Sequence, residues 1–150
     1  MKSKKKLVYV GLSADILHEG HINILKIANS YGIVIVGLLT DEAIASYKNI
    51  PYLDFKKRKV VIENMKYVEK VIPQKTLDYV ENLNLIKPDF VVHGDDWKYG
   101  VQSQVRKDVI KSLKKWSGKL IEPKYTKNIS SSIIKKKILE IGSYPQNRLS

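Results

Sequence analysis

The 150-residue chain contains no cysteine, which excludes disulfide staples and thiolate chemistry. No apolar run approaches the roughly 18 to 20 residues that cross a bilayer. The basic start (Lys2 to Lys6) leads into only Leu7-Val8-Tyr9-Val10-Gly11, too short for the core of a secretory signal. A cytoplasmic location with no membrane partner is therefore expected. Glycine (8) and proline (5) are too sparse, and low-complexity sequence too absent, to suggest a second unit. With 43% apolar residues the chain fits one domain over 1–142, followed by a linker or tail at 143–150, where Ser143-Tyr144-Pro145-Gln146-Asn147 breaks the last helix. No Ser-His-Asp set and no matched carboxylate pair is evident.

What the chain does have is positive charge, a net +12. Lysines lie at both ends and on most expected helices (Lys56, Lys57, Lys59; Lys107, Lys111, Lys114, Lys115; Lys135, Lys136, Lys137), without the interleaved aromatics of a stacking platform. The distribution argues for solvated helix faces and against nucleic acid. It would still attract a polyanionic small substrate such as a nucleoside triphosphate.

Short β-branched runs at Leu7–Val10, Ile33–Leu39, Val68–Ile72, Phe90–His93 and Lys119–Ile121 alternate with expected helices at His21–Ser30, Asp41–Ser46, Phe55–Met65, Leu77–Ile86, Val105–Trp116 and Ser131–Ile141. Strands buried on both faces read as continuous apolar runs, as Ile33 to Leu39 does. The pattern predicts an α/β fold: a doubly wound, Rossmann-like, five-stranded parallel sheet with helices on both faces. Ligands bind at the carboxyl ends of such strands. The polar clusters fall there: Ser13, Asp15, His18 and His21; Thr40, Asp41 and Glu42; His93-Gly94-Asp95-Asp96-Trp97; and Tyr125 to Ser132.

His18-Glu19-Gly20-His21 places two imidazoles on one face of a starting helix, whose free N–H groups and dipole favour an anion. Gly20 removes a Cβ where a phosphate oxygen would approach. The residues also allow a plainer reading, with His18 a capping side chain and His21 a packing residue. A zinc helix needs histidines at i and i+4, so the spacing speaks against it. Ile129-Ser130-Ser131-Ser132 offers an N-cap and a second anion site, or capping alone. Asp95 and Asp96 could bind Mg²⁺, accept from a base or ribose, or end a turn.

Taken together, Asp15 to His21, Thr40-Asp41-Glu42, Arg58-Lys59, Val71-Ile72-Pro73, Gly94-Asp95-Asp96-Trp97 and Ile129-Ser130-Ser131-Ser132 resemble the cytidylyltransferase family of the HxGH nucleotidylyltransferase superfamily. The resemblance implies that His18 and His21 stabilise the transition state and that Lys48 takes the place of a catalytic loop lysine. It implies nucleotide contacts from Leu12, Ser13, Ala14, Asp15, Gly20, His93, Gly94, Asp95, Asp96, Trp97, Thr126, Ile129, Ser130 and Ser131. Lys48, Arg58 and Tyr125 would meet the acceptor. CTP is the expected donor, with Asp95 or Asp96 accepting from the cytosine amino group, and Mg²⁺ is held mainly by the triphosphate with no protein metal site. A homodimer is implied by the same analogy. An adenylyltransferase using ATP and a non-catalytic nucleotide-sensing module are the rival readings.

Two departures stand out. Gly11-Leu12-Ser13-Ala14-Asp15 has one residue more than the family's Gly-Thr-Phe-Asp, and Tyr125-Thr126-Lys127-Asn128 replaces Arg-Thr-Glu-Gly, leaving Lys124 or Lys127 to supply the missing charge. The first variant resembles cytidylyltransferase domains that accompany phosphoenolpyruvate mutase. A small phosphonate, 2-hydroxyethylphosphonate or 2-aminoethylphosphonate, is thus the expected acceptor, with a linked mutase domain as a possible partner. The hydroxyl compound is favoured because only Glu19 and Asp41 are candidates to meet an ammonium. Glycerol 3-phosphate, phosphocholine and phosphoethanolamine are the phosphate-monoester alternatives.

Overall fold

The computed structural model describes residues 4–142, so the expected tail at 143–150 lies outside the described residues. Five parallel strands, β1 (Leu7–Leu12), β2 (Ile33–Leu39), β3 (Lys70–Gln74), β4 (Phe90–Val92) and β5 (Lys119–Ile121), are ordered β3-β2-β1-β4-β5. The chain winds outward from β1 to β3, then returns to lay β4 on the other flank of β1. That reversal opens a crevice at the carboxyl edge between β1 and β4.

Helices α1 (Glu19–Tyr31) and α3 (Phe55–Glu63) cover one face, through Leu25, Ala28 and Ile62 on Val8, Val10, Val34 and Val36. Helices α4 (Val80–Ile86) and α5 (Ser103–Lys114) cover the other, through Leu83, Val109 and Leu113 on Tyr9 and Val91. The short α2 (Asp41–Ala45) follows β2, a 3₁₀ turn (Asp95–Lys98) follows β4, and α6 (Ser131–Gly142) closes the described chain. Among the described residues no helix is long and apolar enough to cross a membrane.

The expected doubly wound parallel sheet is observed, with shifted boundaries. The third strand runs over 70–74 rather than 68–72: Val68 packs on the core before the strand begins, and Pro73 is tolerated because β3 is an edge strand. Helix α1 starts two residues earlier than expected because His18 caps it. Helix α4 starts later, after Tyr79, and α5 starts two residues earlier.

Candidate active site

Three of the four polar clusters meet in a cavity of about 290 Å³ at the carboxyl edge of the sheet; Thr40, Asp41 and Glu42 lie off its wall, which Leu39, Tyr47 and Lys48 line from the β2 side. His18 and His21 stand on it with ring centroids 4.1 Å apart. The Gly20 N–H donates to His18 Nδ1 at 3.0 Å, and the His18 N–H donates to His21 Nδ1 at 3.2 Å. Each Nδ1 is therefore an acceptor, and in the neutral ring the proton must sit on Nε2. Burial holds the His18 pKa below the ordinary value. Burial, the charge of His18 and that of Lys48 push His21 down to about 4. Both rings are neutral at pH 7 and offer Nε2–H donors.

The capping reading is observed, and the capping hydrogen bonds also fix the tautomers. Gly20 has a reason besides the one expected. A Cβ there would lie 2.7 Å from His18 Cε1 and 2.9 Å from its Nδ1, so the glycine makes room for the imidazole.

Lys48 Nζ donates to Ser13 Oγ at 3.2 Å, tying the loop after α2 to that after β1. Ser130 Oγ accepts from the Ile133 N–H and caps α6, and Ser131 Oγ donates to the Ile16 carbonyl. Both serines line the cavity, as do Ser132, Ile129, Thr126, Leu12, Ser13, Gly20, His93, Gly94 and Asp96. His93 stacks on Trp97 at 3.7 Å and donates from Nδ1 to the Gly94 carbonyl. Tyr125 lines the cavity where the family arginine was expected, with its N–H bound to Asp95 Oδ1.

Five expected site residues, Ala14, Asp15, Arg58, Asp95 and Trp97, lie off the cavity wall. Asp15 is buried, accepting from the Tyr52 and Leu53 N–H groups and from Lys135 Nζ at 2.6 Å; these bonds outweigh burial and lower its pKa. Ala14 absorbs the extra residue of its loop at φ 53°. Trp97 is buried and donates to Glu122. Arg58, read from sequence as an acceptor ligand, does not reach the cavity. The residue is 1% exposed, and its guanidinium donates to the Ser13, Leu39 and Leu53 carbonyls and to Asp41. Lys124 and Lys127 are also off the wall.

A family model described as cytidylyltransferase-like matches residues 9–137. The chain belongs to the cytidylyltransferase-like family. It is 35% identical over 96 residues to the glycerol-3-phosphate cytidylyltransferase of Staphylococcus aureus, covering 63% of this chain and 72% of that one. It is 35% identical over 130 residues to the ethanolamine-phosphate cytidylyltransferase of Dictyostelium discoideum, covering 83% of this chain but spanning about a third (34%) of that relative's length. The fold matches the crystal structure of a lipopolysaccharide core biosynthesis protein from Thermoplasma volcanium with a TM-score of 0.69 at 24% identity, covering 82% of this chain and 99% of that one.

Sequence reasoning missed part of the wall of this cytidylyltransferase-like cavity: Tyr47, Gln74, Leu77, Tyr79, Gln102 and Val105. Tyr79 and Gln102 occupy helix-start positions, before α4 and α5, and both strand-to-helix crossovers end at the same sheet edge. That placement was the available signal. Composition was not.

Proposed function

We propose that the chain transfers CMP from CTP to a small phosphate monoester, releasing pyrophosphate. The observation that supports this reading is the pair of cavity-lining imidazoles, each with Nδ1 held by a backbone N–H and its proton left to Nε2, beside Lys48 and the capped start of α6. An ionised acceptor oxygen forms a bond to the α-phosphorus as the bond to the bridging oxygen breaks, and the electron pair leaves on pyrophosphate. No proton has to move, so no general base is needed. His18 and His21 donate to the α-phosphoryl oxygens, which gain charge in the transition state. Lys48 binds the charge of the transferred or the accepting phosphoryl group. Asp96, the member of its pair on the cavity, accepts from the cytosine amino group.

No group of three or more His, Asp or Glu side chains among the described residues forms a cation cage. Mg²⁺ would arrive on the triphosphate and screen its charge. The names of the relatives favour a phosphate monoester over the phosphonate that the Gly11–Asp15 segment suggests.

Pyrophosphate release, measured with each of the four nucleoside triphosphates against a panel of phosphate monoesters and phosphonates, tests the reading. CTP-dependent release that falls about 10²-fold in His18→Ala and in His21→Ala is expected. A preference for ATP would point to an adenylyltransferase. Binding of CTP without turnover on any acceptor would point to a sensing module.

A further inference from the structure

The cavity has two chemically unlike walls. From the α1 and α6 side come His18, His21, Thr126 and the serines, all suited to phosphate oxygens. From the α4 and α5 side come Leu77, Tyr79, Gln102 and Val105, none of them charged. Tyr79 is 6% exposed, with its ring packed on Tyr9 (5.6 Å) and Trp97 (5.8 Å). What reaches the cavity is therefore its hydroxyl and not a ring face for a cation. The hydroxyl lies over Gly11, where any Cβ would overlap it.

Among the described residues Tyr79 Oη has no hydrogen-bond partner, whereas the neighbouring Tyr9 hydroxyl donates to Gln74 and accepts from Asn82. The hydroxyl is the part of Tyr79 that opens on the cavity, so it is a donor available to a ligand there. Burial, with smaller contributions from Tyr9, Tyr47 and Asp96, raises the Tyr79 pKa, so it stays a donor at neutral pH. Gln102, half-buried where α5 begins, makes no capping bond with its side chain. Asp96, the one carboxylate among the lining residues, is exposed on the loop after β4 beside His93 and close enough to Tyr79 to raise its pKa, and the transferase reading commits it to the cytosine amino group.

We infer that Tyr79 Oη and the Gln102 amide bind a hydroxyl group at the far end of the acceptor. The acceptor is then a hydroxyl-bearing phosphoryl compound and not an ammonium one such as ethanolamine phosphate. With Asp96 committed to the cytosine, the uncharged Tyr79 and Gln102 leave an ammonium without a counter-charge, whereas a hydroxyl can both accept from Tyr79 and pair with the amide. The inference rests on the transferase reading above and deepens it.

The test compares kcat/KM for glycerol 3-phosphate, ethanolamine phosphate, propyl phosphate, 2-hydroxyethylphosphonate and 2-aminoethylphosphonate, with CTP and the whole chain. In each matched pair the hydroxyl compound should exceed the amine by about tenfold or more. Tyr79→Phe should lower kcat/KM for glycerol 3-phosphate about tenfold more than for propyl phosphate, chiefly through KM. Its Tm should not fall, because the lost hydroxyl holds no protein group. An amine preferred over its hydroxyl partner, or a Tyr79→Phe effect equal on glycerol and propyl phosphates, would overturn the inference. Failure of every acceptor would instead overturn the transferase reading on which it rests.

Discussion

Gly20→Ala separates the fold from the chemistry. In the first turn of α1 alanine is intrinsically better than glycine by about 1 kcal/mol. The new Cβ would meet His18 Cε1 and Nδ1 at 2.7 and 2.9 Å, closer than carbon and nitrogen tolerate. The backbone of α1 is fixed by its hydrogen bonds, so the ring must swing. Swinging breaks the Gly20 N–H to Nδ1 bond, a loss of about 1 kcal/mol. The two changes nearly cancel, and stability should stay within about 1 kcal/mol of the parent by urea denaturation. Turnover should not. The displaced ring no longer aims its Nε2–H at the α-phosphoryl group, and losing one such donor costs about 10²-fold in kcat, or about 2.7 kcal/mol. His18→Ala sets the floor, so Gly20→Ala should approach it in a pyrophosphate-release assay at saturating CTP. Turnover within threefold of the parent would refute the steric argument, and so would a loss of several kcal/mol of stability.

Three further outcomes follow from the same geometry. His21, held at about 4 when folded against about 6.5 unfolded, contributes stability that is fully present above pH 6.5 and is lost as the pH falls towards 4, by about 3 kcal/mol at most; urea midpoints at pH 7 and 4.5 should differ by less in His21→Gln, and an equal difference would refute the assignment. Arg58→Ala should destabilise the fold by about 3–5 kcal/mol, because it strands three carbonyls and Asp41; unchanged stability with a raised acceptor KM would restore Arg58 as a ligand. Asp96→Asn should narrow the preference for CTP over UTP about tenfold or more in kcat/KM, and an unchanged ratio would remove Asp96 from base recognition.

The sheet was legible because its strands are buried on both faces. Ile33 to Leu39 has no polar alternation to confuse with a surface strand, and its observed limits match the expected ones. Boundaries slipped where something outside the periodic pattern set them: His18 caps α1 early, and the edge position of β3 lets it run through Pro73 to Gln74. The histidines, Lys48 and the serines were legible because they follow strands β1, β2 and β5 in order, and a parallel sheet brings those ends together. Arg58 was misjudged because nothing local shows where a guanidinium on the polar-looking face of α3 points. Only the tertiary fold places it beneath the Ser13 and Leu39 carbonyls. Tyr79 escaped for the converse reason: its sequence context reads as the start of a helix, and its place on the cavity depends on packing over Gly11, far away in the chain.

Neutral histidines suit this chemistry better than cationic ones would. A triphosphate already carries several negative charges before reaction, so two fixed cations beside it would bind the ground state and the transition state alike and add little to turnover. The chain supplies long-range attraction through its +12 net charge and one cavity-lining ammonium, Lys48. Short-range discrimination is left to groups that gain most as the α-phosphoryl oxygens collect charge. An Nε2–H donor locked by a backbone N–H on its other nitrogen is such a group: it is aimed in advance and needs no reorganisation when the charge appears. Under the proposed transfer, burial and the charge of Lys48, which depress the His21 pKa, would serve catalysis by keeping the ring neutral, while the His18 N–H leaves its one proton on Nε2.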